Sequence, residues 1–191
     1  MTGRLERSYF EGLYAAQADP WGFETSVYER EKYERTVDAL EGRHFRRALD
    51  CGCSIGVLTA RLAPHCDDLL AIDVSERAVD RARNRLDREP HVRVERRTLP
   101  EELPDGPFDL IVCSEVLYYW DRELLLSALG SLEAALAPGG SLLAVHWRPR
   151  TRTYPLLGDE VHELMSTTLA LERRLSVCEE RYRIDRFDRA T

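Results

Sequence analysis

The chain has 191 residues, 43% hydrophobic and 32% charged, a balance that fills the core of one globular domain. Its net charge of −7 argues against a general nucleic-acid surface. No apolar run reaches the roughly 18 residues of a membrane span, and polar residues 1–10 lack the apolar region of a signal peptide, so a cytoplasmic location is expected. Residues 1–42 read as a partly helical segment ahead of the sheet. They include the aromatic turn Asp19-Pro20-Trp21-Gly22-Phe23 and a stretch, 27–40, with apolar positions at helical spacing. From residue 43 onward strand and helix alternate, the signature of a doubly wound parallel sheet. Strands are expected at 46–50, 69–73, 91–95, 108–113 and 141–146. Helices are expected at 56–63, 76–87 (capped by Ser75), 122–136 (capped by Asp121) and 158–172, and two more strands between 175 and 187. The 108–113 run is almost wholly apolar, as a central strand covered on both faces requires.

Lys32 is the only lysine beside 26 arginines, a composition that reads as codon bias. The five cysteines, Cys51, Cys53, Cys66, Cys113 and Cys178, contain no C-x-x-C pair, and the histidines do not complete a zinc set. Reduced thiols and no metal are expected.

The chemistry is carried by Asp50-Cys51-Gly52-Cys53-Ser54-Ile55-Gly56. A strand end, a glycine turn and a helix start bring backbone N–H groups toward a ligand. Seventeen residues after Gly56, a second strand ends in Asp73, placed to accept hydrogen bonds from both hydroxyls of a ribose. A dinucleotide turn wants G-x-G-x-x-G, with the middle glycine giving room to a pyrophosphate. Here Ser54 stands at that site, and Asp50 would repel phosphate while suiting an ammonium. The pattern fits S-adenosylmethionine (SAM), which has a sulfonium and an amino-acid tail and no phosphate. An NAD-dependent oxidoreductase is disfavoured by the same glycine spacing.

The sequence resembles the class I SAM-dependent methyltransferases. Within them it is similar to the nodulation N-methyltransferases (the NodS family), which methylate the amino group of a deacetylated chitooligosaccharide. The resemblance rests on Asp19-Pro20-Trp21-Gly22-Phe23, Tyr28-Glu29-x-x-Lys32-Tyr33-x-x-Thr36 and the glycine turn. It continues through Phe108-Asp109-Leu110-Ile111-Val112-x-Ser114-Glu115-Val116-Leu117-Tyr118-Tyr119, His146-Trp147-Arg148 and Tyr154-Pro155-Leu156-x-Gly158-Asp159-x-Val161-His162. It implies a Rossmann-like fold, a mostly parallel seven-stranded sheet with helices on both faces, and a cover formed by residues 1–42.

The resemblance also implies roles. Trp21, Tyr28 and Arg35 would fold over the cofactor, Arg35 pairing with its carboxylate. Asp50, Gly52, Cys53, Ser54 and Gly56 would seat the methionine tail, with Asp73 and Val74 at the ribose and Ser114 near the sulfonium. Where relatives place an Asp toward adenine, this chain has Thr98, so adenine leans on Thr98 and the Leu99 backbone. The acceptor would lie over Tyr118, Tyr119 and Trp147, bounded by Arg148, Asp159 and His162. Glu115 or Asp159 would stabilise charge growing on the acceptor nitrogen, and His146 would take its proton. The expected reaction is N-methylation of an amino sugar or oligosaccharide. The alternative is O-methylation of a sugar or natural-product hydroxyl, and a non-catalytic SAM-binding protein is a more distant one.

Overall fold

The computed structural model describes residues 3–191, so the first two residues of the polar 1–10 stretch lie outside the described residues. The chain begins with two helices, α1 (Arg7–Ala16) and α2 (Val27–Asp38). Ser26 caps α2 by accepting from the Glu29 N–H. Then come β1 (Phe45–Cys51), α3 (Val57–Leu62), β2 (Cys66–Asp73), α4 (Glu76–Arg85), β3 (Val92–Arg96) and β4 (Phe108–Ser114). A 3-10 turn (Leu117–Tyr119), α5 (Arg122–Ala134), β5 (Leu136–Trp147), α6 (Gly158–Thr168), β6 (Glu172–Cys178) and β7 (Tyr182–Asp188) follow. The expected caps are made: Ser75 Oγ accepts from the Ala78 N–H and Asp121 from the Leu124 N–H.

The sheet order is β3-β2-β1-β4-β5-β7-β6. β1 to β5 pair in parallel, and β7 enters antiparallel between β5 and β6. The order reverses between β1 and β4, which opens a crevice at their carboxyl ends, the usual ligand position in such sheets. All four helices expected after residue 43 are shorter than their sequence patterns. α5 stops at Ala134 because the next residues join β5, where Leu136 already pairs with Phe108. α6 stops at Thr168, and β6 begins at Glu172.

Strand side chains alternate between two cores. Leu49, Cys51, Ile111, Cys113, Leu142 and Ala144 pack toward α5 and α6. Ala48, Leu110, Val112, Leu143 and Val145 pack on the other face, with Tyr33 of α2 and Leu58 of α3. This parity decides the fate of β5's last two residues. All five cysteines are free thiols, and only Cys178 is exposed.

Candidate active site

A cavity of about 460 Å³ opens at the carboxyl ends of β1 and β4, beneath α1 and α2. The glycine turn forms its floor. Gly52 has φ +75°, and a Cβ there would press on Val116 at 3.1 Å, so glycine serves both backbone conformation and space. The turn's N–H groups are not offered to a ligand, contrary to expectation. Those of Gly52 and Cys53 both bond Ile72 O, at 2.8 and 2.9 Å, and that of Ser54 bonds Asp73 at 2.9 Å. A turn whose donors are used internally, with carboxylates beside it, suits a cation better than a phosphate. Gly56 (φ +79°) does not line the cavity. It lets α3 approach α4, where a Cβ would meet Ala82 at 3.1 Å.

Asp50 and Asp73 are buried in the cavity wall. Thr59 Oγ1 donates to Asp50 at 2.7 Å. Asp73 accepts from Ser54 and Ser75 N–H groups, one on each oxygen, which leaves a further acceptor position on each. Burial pushes both carboxyls up to about 6, against the pull of those hydrogen bonds. Ser54 takes a left-handed backbone (φ +53°) and its hydroxyl meets Tyr14 Oη at 2.5 Å. Trp21 stacks on Phe23 (5.4 Å, 21°) and Val74, Thr98, Leu99 and Ser114 complete this half. The Leu99 carbonyl is taken by Arg4 at 2.9 Å.

The other half is built around Glu115, held at φ +56° just past β4. Non-glycine residues adopt that conformation at a cost, and it recurs at functional sites. Glu115 Oε1 accepts from Lys32 Nζ at 2.7 Å. Oε2 accepts from the Tyr118 hydroxyl at 2.5 Å and the Trp147 N–H at 3.0 Å. Lys32, 1% exposed, also donates to Glu29 at 3.1 Å. Burial alone would lower its pKa, but Glu115 and Glu29 outweigh that and hold the ammonium well above its ordinary range. Neither Lys32 nor Glu29 was expected among the site residues. The signal was present: Lys32 is the chain's single lysine and stands in the tyrosine-rich motif. Aromatic faces line the rest. Tyr118 stacks on Tyr154 (4.7 Å, 11°), Tyr119 meets Phe10 edge-on (4.9 Å), and Trp147 meets Tyr28 edge-on (5.7 Å).

Five other expected site residues stand elsewhere. Arg35 projects to solvent, with its side chain 66% exposed and Asp38 at 3.9 Å. Arg148 and Asp159 form a forked ion pair (2.8 and 3.1 Å) outside the cavity lining. His146 and His162 are fully buried and do not reach the cavity. Strand parity is the reason: His146 shares the face of Leu142 and Ala144, under α6, while Trp147 faces α2. His146 Nε2 accepts from the Leu117 N–H at 3.2 Å, so Nδ1 carries the proton and donates to His162 Nε2 at 3.1 Å. His162 Nδ1 then donates to Asp185 at 2.9 Å. Burial lowers the pKa of both rings, in His162 against the pull of Asp185. This chain pins the turn that carries Tyr118 and Tyr119, and it is not placed to take a proton from a bound acceptor.

The wall therefore fits a SAM-like molecule: carboxylates for ribose and ammonium, a glycine floor and aromatic sides. The Nodulation protein S (NodS) family model matches residues 11–183. The chain belongs to the NodS family of class I SAM-dependent methyltransferases. It is 27% identical to the SAH complex of the N-methyltransferase NodS from Bradyrhizobium japonicum WM9, covering 97% of this chain and 99% of that one, with a TM-score of 0.85. A Pseudomonas syringae structure assigned to the methyltransferases is 40% identical, covers 86% of this chain and 100% of its own, and has a TM-score of 0.75. Nodulation protein S of Rhizobium tropici is 37% identical over 130 residues, 67% of this chain and 55% of the relative. The chain spans somewhat over half the length of the curated relatives it matches. Among the described residues, no group of His, Cys, Asp and Glu could hold a metal, and no helix is long and apolar enough to cross a membrane.

Proposed function

We propose that the protein transfers the SAM methyl group to an amino group of an amino sugar or oligosaccharide. The cofactor supplies an activated methyl on a positively charged sulfur. Asp73 would accept from the ribose hydroxyls, Asp50 would face the tail's ammonium, and Trp21, Thr98 and Leu99 would border the nucleoside. One observation carries the choice of acceptor: two carboxylates, Glu29 and Glu115, share one ammonium, Lys32, on the cavity wall. If all three are ionised, the group keeps a net negative charge in a water-poor site. That favours an acceptor that arrives, or becomes, positively charged. Tyr154, backed by the stacked Tyr118, and Trp147 would offer flat faces to the C–H surface of a sugar ring. Positioning does the remaining work, since methyl transfer needs the acceptor lone pair in line with the methyl carbon.

The O-methyl alternative needs a stronger base than the carboxylates on the wall, because a hydroxyl is far less acidic than an ammonium. The imidazole expected at the site, His146, faces α6 instead, with its own acceptor nitrogen engaged by Leu117. The test is mass spectrometry of glucosamine oligomers incubated with isotope-labelled SAM. Methyl on nitrogen is expected. Methyl on oxygen or carbon, or no turnover across amino sugars, overturns the reading.

A further inference from the structure

Two buried polar atoms, on residues that line the cavity, have no hydrogen-bond partner. Glu29 is 8% exposed, and its Oε2 receives no hydrogen bond; the buried Tyr28 Oη beside it in sequence has none either. Lys32 Nζ lies 2.8 Å from that Oε2. Its aligned hydrogen bonds, however, run to Glu29 Oε1 and to Glu115. Buried polar atoms left unbonded are costly and point to a missing partner. Glu115 is the opposite case. Three donors already converge on it, from Lys32, Tyr118 and Trp147.

We propose that Glu29, with Tyr28 beside it, is the group that takes the proton from the acceptor's ammonium, while Glu115 holds the geometry. The proposal rests on the amine-acceptor reading above. Both residues sit on α2 and face the ends of β4 and β5. Glu29 reaches Glu115 through Lys32, and the Tyr28 ring packs on Trp147. In the step, an N–H bond of the ammonium breaks and its electron pair stays on nitrogen. The proton goes to Glu29 Oε2, giving a carboxylic acid. The freed lone pair forms the N–CH3 bond as the C–S bond breaks, and that pair stays on sulfur. Glu29 then returns its proton to water. The first turn of α2 favours the carboxylate form through the helix dipole.

The charged and titratable groups around Glu29 are Lys32 and Tyr33 on its own helix and Glu115 from β4. Tyr28 is flanked by Arg181 and Tyr182. Burial raises the Glu29 carboxyl, Lys32 draws it back, and Glu115 raises it again. The outcome lies above the ordinary carboxylate value.

The experiment uses the full chain, methyl-labelled SAM and a β-1,4-linked glucosamine tetramer, with rates followed from pH 6 to 9. E29Q should lose roughly 10²–10³-fold in kcat at pH 7. SAH affinity by titration calorimetry should stay near wild type, while the melting temperature should fall, because the buried Lys32 keeps only Glu115 as an ionised partner. Below the pKa of the acceptor's ammonium the E29Q rate should climb up to about tenfold per pH unit as free amine accumulates, and level off above it, so the gap narrows at high pH. E29D should recover part of the loss, and should E29Q fail to fold, E29D decides: a lowered rate on a wild-type pH profile supports the base. Near-wild-type turnover by E29Q, with an unchanged profile, overturns the proposal. So does an SAH affinity that falls more than tenfold, which would assign Glu29 to the cofactor's ammonium. A wild type that leaves the tetramer unmethylated defeats the amine reading itself, and this inference with it.

Discussion

Asp73 is the residue on which cofactor binding should turn. Its carboxyl, raised by burial from 3.8 to about 6, must be ionised to accept from ribose hydroxyls. Binding at pH 6 should therefore release protons, and Asp73 should contribute a roughly tenfold fall in SAH affinity between pH 7 and pH 5, beside the share of Asp50, raised to the same value. Asp73→Asn keeps the shape and one acceptor but removes the Asp73 share. Its affinity should be lower by about 1–3 kcal/mol and should vary roughly tenfold less over the same range. Calorimetry in buffers of different ionisation heat reads both quantities. A pH dependence in the variant as steep as in wild type would remove Asp73 from the ribose site. This residue was legible in the sequence because the turn and the strand that make it are neighbours along the chain. Lys32 was not, because its partner Glu115 lies 83 residues away and no local pattern marks a buried lysine. His146 was misread for a subtler reason. Its place at a strand end was clear, but which face it takes depends on α6, and one residue of register reverses that.

At the scale of elements, the link between β5, α6 and β7 sets how steady the Tyr118–Tyr119 turn is. His146, His162 and Asp185 form it entirely within the protein. Two neutral rings whose pKa values lie below the ordinary 6.5 stabilise the fold above that pH, and the contribution is lost as pH falls toward their lowered values. Asp50 and Asp73 act oppositely in the ligand-free protein. Raised from 3.8 to about 6, they favour folding below pH 4 and lose that contribution by about pH 6. Subtracting a variant's curve from wild type isolates the histidines. His162→Asn preserves a donor toward Asp185 but gives His146 nothing to donate to. We expect a loss of about 2 kcal/mol at pH 7.5, or about 4–8 °C in melting temperature for a domain of this size. The difference should shrink as pH drops from 6.5 to 5. A constant difference across that range would mean the rings do not titrate as their burial implies. The succession of strands and helices up to β5, and their parallel sheet, were readable from alternation alone. The insertion of β7 between β5 and β6 was not, since antiparallel closure leaves only two short alternating runs.

On the scale of the whole molecule, α1 and α2 are held differently from the sheet. The strands share two continuous apolar cores. The leading segment is tied largely by polar contacts to the rim of the cavity it covers. The Tyr14 hydroxyl meets Ser54 at 2.5 Å, Arg81 donates to Ala18 O at 2.8 Å, the Glu76 N–H donates to Glu11 at 2.7 Å, and Lys32 bridges to Glu115. Its apolar support is limited to Tyr33 of α2 on the second core, with Phe23 and Tyr28 beside it, Phe10 at the edge of the first, and the small cluster of Tyr14, Ile55 and Ala78. Elements with few buried apolar contacts open at lower free energy than the core. Residues 7–38 are therefore expected to lift from the sheet without global unfolding, which gives cofactor a way in. A ligand that binds only the closed form stabilises it by RT ln(1 + [L]/Kd), about 2.7 kcal/mol at a hundredfold excess over Kd. Amides of α1 and α2 that exchange by this opening should then slow about 100-fold with SAH at that excess. In its absence they should exchange well ahead of those in β4 and β5. Hydrogen exchange with mass detection on the full chain reads both comparisons. If α1 and α2 exchange at the same rate with and without SAH, or already as slowly as β4 when ligand-free, they are a fixed wall and cofactor must enter past Arg4 and Thr151 at the cavity mouth.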